Sequence, residues 1–278
     1  METQDTELKD KDKVIKCLER KLKDMNEKLL SSESFKQSFI SNLKNEIFDP
    51  ITTIFLVVYD IYRGNISKEE IGNYFEIIYR ETLDIHNKLS NIFLMADFES
   101  GEVRLKSEKI VVEEFIDDVI SLLEIKLKEK RINIKKIFIG ENKFFKNDSE
   151  KLKILLINIL ENSIYYSPEE SEINITIWIT DKNLNFIITD KGEKFDDEII
   201  NKNYTEMVNL MRDLTFKGRG KNLSFSVTKM ILDLLGGKIT VTQKENDTVI
   251  AVFIPELETT PEFISTGTEF FFEGEEIY

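Results

Sequence analysis

Between Ile15 and Asp49 the chain has neither glycine nor proline, and apolar side chains recur through it in steps of three and four. The positions are Ile15, Leu18, Leu22, Met25, Leu29, Ser32, Phe35, Phe39 and Leu43, and all but Ser32 are apolar. Lysine and glutamate fill the flanks. This is the seam of a coiled coil; the alternative is a single amphipathic helix lying on a domain. From Phe35 the step is four each time (Phe35, Phe39, Leu43, Ile47, Ile51), which alters the supercoil locally. Pro50 predicts a kink inside this segment.

Arg63-Gly64-Asn65 breaks the run, and Ser67-Lys68-Glu69-Glu70 is a capping box that starts a second helix. Its own seam is Ile71, Phe75, Ile78, Thr82, Ile85, Leu89, Ile92 and Ala96, and it ends near Glu99-Ser100-Gly101. Two antiparallel helices with one apolar stripe each cannot bury both stripes alone. A homodimeric four-helix bundle is the simplest solution.

From Val103 the pattern becomes mixed. Lys106–Val112 and Ile132–Ile139 read as strands, with a helix at Phe115–Lys128 between them. A helix at Ser149–Tyr166 follows. Glu172–Thr180 and Leu184–Asp190 form a hairpin about Asp181-Lys182-Asn183. After an irregular polar stretch, Lys191–Lys221, a helix at Leu223–Leu235 stops at Gly236-Gly237. Strands at Lys238–Gln243 and Thr248–Ile254 close the pattern. The fold class expected is α+β: a helical hairpin followed by a sandwich with one mixed sheet covered by helices on one face. Beyond Pro255 the chain carries glutamates but no Lys or Arg, and disorder is expected there.

Composition narrows the function classes. A net charge of −14 over 278 residues argues against a nucleic-acid surface and against an anionic membrane. The longest uncharged stretch, Pro50–Tyr59, is about half of the ~20 residues a spanning helix needs. One cysteine, Cys17, excludes an intrachain disulfide, and the charged start is no signal peptide. The expected location is cytoplasmic.

Three local patterns carry candidate chemistry. In LLINILENSIYYS, Asn158 and Asn162 lie four apart and so share a helix face. A carboxamide oxygen suits Mg²⁺ held mostly by phosphates and water, although such a pair is often a solvated edge or cap. Asp190-Lys191-Gly192 follows a strand, placing a carboxylate beside a backbone that can approach a ligand closely. Gly220-Lys221-Asn222-Leu223-Ser224 opens a helix, where free N–H groups can cradle phosphates. Asn222 tolerates a left-handed backbone and Ser224 is small. Lys217, Arg219 and Lys221 offset phosphate charge or simply decorate a solvated loop.

In this order and spacing, behind a helical hairpin, the three patterns resemble the ATPase domain of sensor histidine kinases, and the resemblance spans about Phe35–Pro255. It implies that Asn158, Asn162, Asp190, Gly192, Gly220 and Asn222 bind ATP, with Asn162 the Mg²⁺ ligand and Asp190 accepting from the adenine amino group. The family's acceptor box is His-Glu, two residues, Thr or Asn, then Pro; Asn45, Glu46, Asp49 and Pro50 match its positions. Asn45 is an amide and cannot take a phosphoryl group. Glu46, the assisting base, then has no imidazole to serve. Asp49 would repel an aspartyl phosphate on a partner. Tyr165 stands where the family has a Lys or Arg, Lys194 where it has the second glycine of the Asp-Gly box, and Asn222 and Ser224 where it has lid glycines. The only histidine, His86, lies in the second helix of the hairpin, far from the box.

The resemblance therefore implies a coiled coil at 1–35, a dimerisation and phosphotransfer-like hairpin at 36–101, an ATP-binding domain at 102–256 and an acidic tail at 257–278. The expected function is a cytoplasmic pseudokinase of two-component signalling, whose ATP·Mg²⁺ binding is weakened or lost. Its partners would be itself, another histidine kinase or a response regulator. The alternatives are a kinase phosphorylating a partner's histidine in trans, and a dimeric adaptor that binds no nucleotide.

Overall fold

The computed structural model describes residues 47–64, 67–192, 223–244 and 247–258. The coiled coil, Asn45, Glu46, the segment 193–222 with Gly220 and Asn222, and all of the acidic tail except its first two residues lie outside them.

Helix α1 runs through residues 47–63 with Pro50 buried in its first described turn. The hydroxyls of Thr52 and Thr53 donate back to the carbonyls of Phe48 and Asp49, which satisfies them without solvent. Helix α2, Lys68–Ser100, begins with the expected reciprocal cap: Ser67 Oγ accepts from Glu70 N–H, and Glu70 Oε2 accepts from Ser67 N–H. It ends at Gly101, whose φ of 70° lets its N–H turn back to the carbonyls of Asp97 and Phe98. The seam of α2 is only half-buried or exposed. Its C-terminal turns carry a second face, on which Leu94 and Met95 enter the main core.

Strand β1 (Glu108–Val111) pairs antiparallel with β3 (Phe144–Asn147), a short strand that the residue pattern did not signal. Between them, helices α3 (Val112–Leu122) and α4 (Glu124–Lys130) replace the single helix expected, and β2 (Asn133–Ile139) follows. The break is at Leu123, which is buried and donates its N–H to Ile120 rather than continuing the ladder. Helix α5 is Ser149–Tyr166, capped by Asp148, whose Oδ1 accepts from Lys151 N–H at 2.9 Å.

The main sheet has five strands in the order β2-β4-β5-β7-β6, where β4 is Glu172–Thr180, β5 Asn183–Asp190, β6 Lys238–Lys244 and β7 Asp247–Pro255. Only the β2–β4 pairing is parallel. Alternation sends Ile173, Ile175 and Ile177 of β4, and Leu184, Phe186 and Ile188 of β5, to the buried face. Helices α3, α5 and α6 (Leu223–Leu234) supply the other half of that core through Val119, Leu155, Leu160 and Met230. Each such side chain contributes about 1.5–3 kcal/mol by leaving water. The architecture is thus α+β, helices followed by a mixed sheet with helices over one face. The last slots of that face are polar: Asp190 ends β5, and its register partner is Thr248, the second residue of β7.

Candidate functional site

Asp190 occupies an inward position at the end of β5 where the preceding inward residues are Leu184, Phe186 and Ile188, and it is 3% exposed. Its Oδ1 accepts from the N–H of Gly192 at 2.8 Å, and Thr248 Oγ1 donates to the Gly192 carbonyl at 3.2 Å. Strand register and a side-chain clamp therefore fix the turn. Gly192 is required by space: a Cβ there would lie 2.8 Å from Asp190 Oδ1 and 3.0 Å from Tyr166 Cβ.

Burial pushes the Asp190 carboxyl above the ordinary range, and the charge of Asp247 adds to this; hydrogen bonding from Ser163 and Gly192 only partly offsets it. Ser163 on α5 is buried, and its hydroxyl influences the carboxyl without reaching full hydrogen-bond geometry with any described group. A buried carboxylate with the Ser163 hydroxyl beside it suits a polar ligand with both donor and acceptor edges.

The other end of the site lies on α5. Asn158 and Asn162 are one turn apart, as the spacing requires, but their environments differ. Asn162 is half-buried. Asn158 is 1% exposed and faces α2, where it exchanges two hydrogen bonds with Asn91: Asn91 Nδ2 donates to Asn158 Oδ1 at 3.0 Å, and Asn158 Nδ2 to Asn91 Oδ1 at 2.9 Å. Glu161, beside Asn162, accepts from Lys126 at 2.6 Å and from Asn87 at 3.2 Å.

Tyr165 is exposed, and its ring meets that of Tyr166 edge-on at 5.0 Å. Lys130 Nζ sits 5.6 Å from the Tyr165 ring centre, but its ammonium donates to the carbonyls of Ile164, Tyr165 and Ser167. With three donors on three acceptors, Lys130 caps α5 and does not stand in for a phosphate-binding cation at position 165.

Asp49 is exposed on α1 and His86 is exposed on α2. Asn45, Glu46, Gly220 and Asn222 are outside the described residues. Thr248 and Asn91 were not signalled by sequence reasoning. Thr248 could have been found as a polar residue in the apolar phase of Thr248, Ile250, Val252 and Ile254. Asn91 has no such marker, because it sits off the seam. Among the described residues, no three His, Cys, Asp or Glu side chains converge as a metal site, and no helix is long and apolar enough to cross a membrane.

Comparison with known proteins matches residues 147–258 to the histidine kinase-, DNA gyrase B-, and HSP90-like ATPase family. The match contains Asn158, Asn162, Asp190, Gly192 and Thr248. Over longer spans the chain is 20% identical to the heme sensor protein HssS of Staphylococcus haemolyticus, covering 87% of this chain and 52% of that protein. It is 23% identical to the sensor histidine kinase CssS of Bacillus subtilis, covering 84% and 50%. The chain thus spans about half the length of these two relatives, and 19% of the sensor protein KdpD of Clostridium acetobutylicum, which it matches at 24% identity over 63% of its own length.

Two solved structures share the fold. The histidine kinase AdeS of Acinetobacter baumannii superposes with a TM-score of 0.52 at 17% identity, over 76% of this chain and 97% of that one. The histidine kinase ThkA, solved in complex with the response regulator protein TrrA, gives 0.50 at 20% identity, over 81% and 63%. Residues 147–258 thus match the histidine kinase-, DNA gyrase B-, and HSP90-like ATPase family, and with hairpin helices ahead of its mixed sheet the chain is similar to sensor histidine kinases.

Proposed function

We propose that this chain is a pseudokinase of the sensor histidine kinase type: a dimeric, nucleotide-responsive regulator of two-component signalling that cannot phosphorylate itself. The observation that carries the proposal is Asn45 at the acceptor position. The amide nitrogen lone pair is delocalised into the carbonyl, so it offers no nucleophile to a phosphoryl group, and Glu46 beside it has no imidazole to assist.

Adenine nucleotide is the ligand the retained residues fit. Asp190 presents a buried acceptor for an exocyclic amino group, Gly192 leaves room for the base, and the Thr248 clamp holds that turn in place. Asn162 is the Mg²⁺ ligand in this reading. When bound, ATP would bring its triphosphate toward Asn162 and the segment before α6. Tyr165 supplies no charge to it, so affinity is expected to be low.

Pairing with a second copy or with another histidine kinase is supported by the hairpin itself, where Phe48, Phe55, Tyr62, Phe75 and Phe93 are exposed. A response regulator is the further partner proposed, by likeness to ThkA, which was solved with one. The second reading, a kinase acting on a partner's histidine, draws on the same intact Asp190 end.

Isothermal titration of the whole chain with ATP and Mg²⁺, beside an Asn162→Ala/Asp190→Ala variant, tests the reading. Saturable heat that the variant loses supports it. Absence of heat at millimolar ATP overturns it and leaves a dimeric adaptor.

A further inference from the structure

The two edges of the main sheet differ in what they expose. Along β6 the exposed positions are Lys238, Thr240, Thr242, Gln243 and Lys244, a polar edge of the kind that discourages further pairing. At the other edge β2 pairs, among the described residues, with β4 alone. It carries Ile137, Phe138 and Ile139 in a row, and the two isoleucines are 54% and 56% exposed. Register places them: Ile137 and Ile139 lie opposite Thr176 and Trp178 on the face away from the helices, and Phe138 lies opposite Ile177 on the helix side. Lys135 and Lys136 precede the run; their acids, Glu172 and Asp117, approach them from β4 and α3, on the inner side of β2. A strand edge with exposed apolar side chains on both faces is a template for one more strand.

We propose that residues 269–276 of the same chain pair antiparallel with β2 as a sixth strand, with Phe270, Phe271 and Phe272 opposite Ile139, Phe138 and Ile137. Three features support it. First, the side chains match in phase. Successive residues of a strand point to opposite faces, so Phe270 and Phe272 fall beside the two isoleucines and Phe271 beside Phe138. Second, the charges are complementary. In that register Glu273 lies opposite Lys136, while Glu275 and Glu276 are diagonal to Lys136 and Lys135; residues 259–278 contain no Lys or Arg. Third, the chain leaves the sheet at the end where β2 finishes. Glu256 N–H donates to the Lys182 carbonyl in the β4–β5 turn at 2.8 Å, and Leu257 N–H to the Lys146 carbonyl of β3 at 2.9 Å. The place outside β2 is four strand spacings from β7, roughly 19 Å, and the twelve residues 259–270 reach up to ~40 Å. Arriving first at Ile139, the segment runs back along β2, which sets the antiparallel sense.

Hydrogen exchange of the whole chain tests this, in the wild type, Phe270→Asp/Phe272→Asp and Ile137→Lys/Ile139→Lys. The phenylalanine pair alters no residue of the sheet and carries the test if the isoleucine variant fails to fold. The expected result is slowed exchange over residues 269–276 in the wild type, at a rate independent of protein concentration. In either variant, exchange there and at the outward amides of β2 should be at least tenfold faster. Exchange of residues 269–276 at the rate of an unstructured peptide in the wild type overturns the proposal. Slow exchange at the β2 edge that survives Phe270→Asp/Phe272→Asp overturns it too, because something else then covers the edge. Protection that grows with protein concentration assigns the edge to a second copy and overturns pairing within one chain.

Discussion

At the Asp190 end of the site every contact stays within the sheet and the helix lying on it; at the Asn158 end the contacts cross to the hairpin. The first is set by strand register: Asp190 opposite Thr248, with Gly192 clamped between a carboxylate and a hydroxyl. It forms whenever the sheet forms. The second depends on where α2 lies, because Asn158 and Glu161 take their partners from Asn91, Asn87 and, through Lys126, Asp84. One end of a binding site can thus be constitutive while the other is conditional, in a single helix-on-sheet layer.

The largest expected effect is at the constitutive end. Gly192→Ala forces a methyl against Asp190 and the Tyr166 backbone, and should cost about 1–3 kcal/mol of stability, as overpacking does. ATP affinity should fall at least tenfold, about 1.4 kcal/mol. Titration and urea unfolding measure both, and an unaffected affinity would break the comparison.

At the conditional end, Asn91→Leu leaves the Asn158 amide buried without a partner, a loss of about 1–3 kcal/mol. Asn91→Leu/Asn158→Leu should recover most of it, since replacing both members is nearly neutral. A double-mutant cycle in urea reads this directly; a double variant as unstable as the sum of the singles would show that the pair does not act as a unit.

Lys126→Met should cost about 1 kcal/mol, because Asp84, Glu161 and the lysine are each about a quarter exposed and so partly screened. Burial pushes the Lys126 ammonium down, but the carboxylates of Glu161 and Asp84 outweigh it and hold the group above its ordinary range. A raised lysine stabilises the fold at all pH values below its unfolded value of about 10.4, and the contribution is lost only as pH climbs through the folded one. The difference between Lys126→Met and wild type should therefore be flat from neutral pH to about pH 9 and shrink in stronger alkali.

The smallest effect sharpens the contrast from the other side. Because burial raises the Asp190 carboxyl, its charged form opposes folding at neutral pH; its favourable share is full below the unfolded value of about 3.9 and is lost as pH rises through the raised folded value. Asp190→Asn should raise the melting temperature at pH 7, with the gain vanishing below about pH 4, while ATP binding weakens. A lower melting temperature at pH 7 would mean that the carboxylate is stabilising where it sits.

How much of this was legible in the sequence follows from what makes a pattern. The strands β4, β5 and β7 alternate cleanly, so the sheet and the Asp190–Gly192 turn could be placed from residues alone. The α2 capping box and its Gly101 stop were equally explicit. The seam of α2 was visible because apolar residues repeat; the second face was not, because Asp84, Asn87 and Asn91 look like solvated positions until α4 and α5 arrive to pair with them. Strand β3 is four residues long, too short for alternation to register, and exists through its pairing with β1. The break at Leu123 is likewise invisible to periodicity, since α3 and α4 carry apolar residues on both sides of it.

Incubation of the whole chain with γ-labelled ATP and Mg²⁺ tests the central claim most directly. The account predicts that ATP binds but that no acid-labile, alkali-stable label appears on the protein, because Asn45 is no acceptor. Such label on the wild-type chain, mapped to His86, would contradict it and make the protein a working kinase.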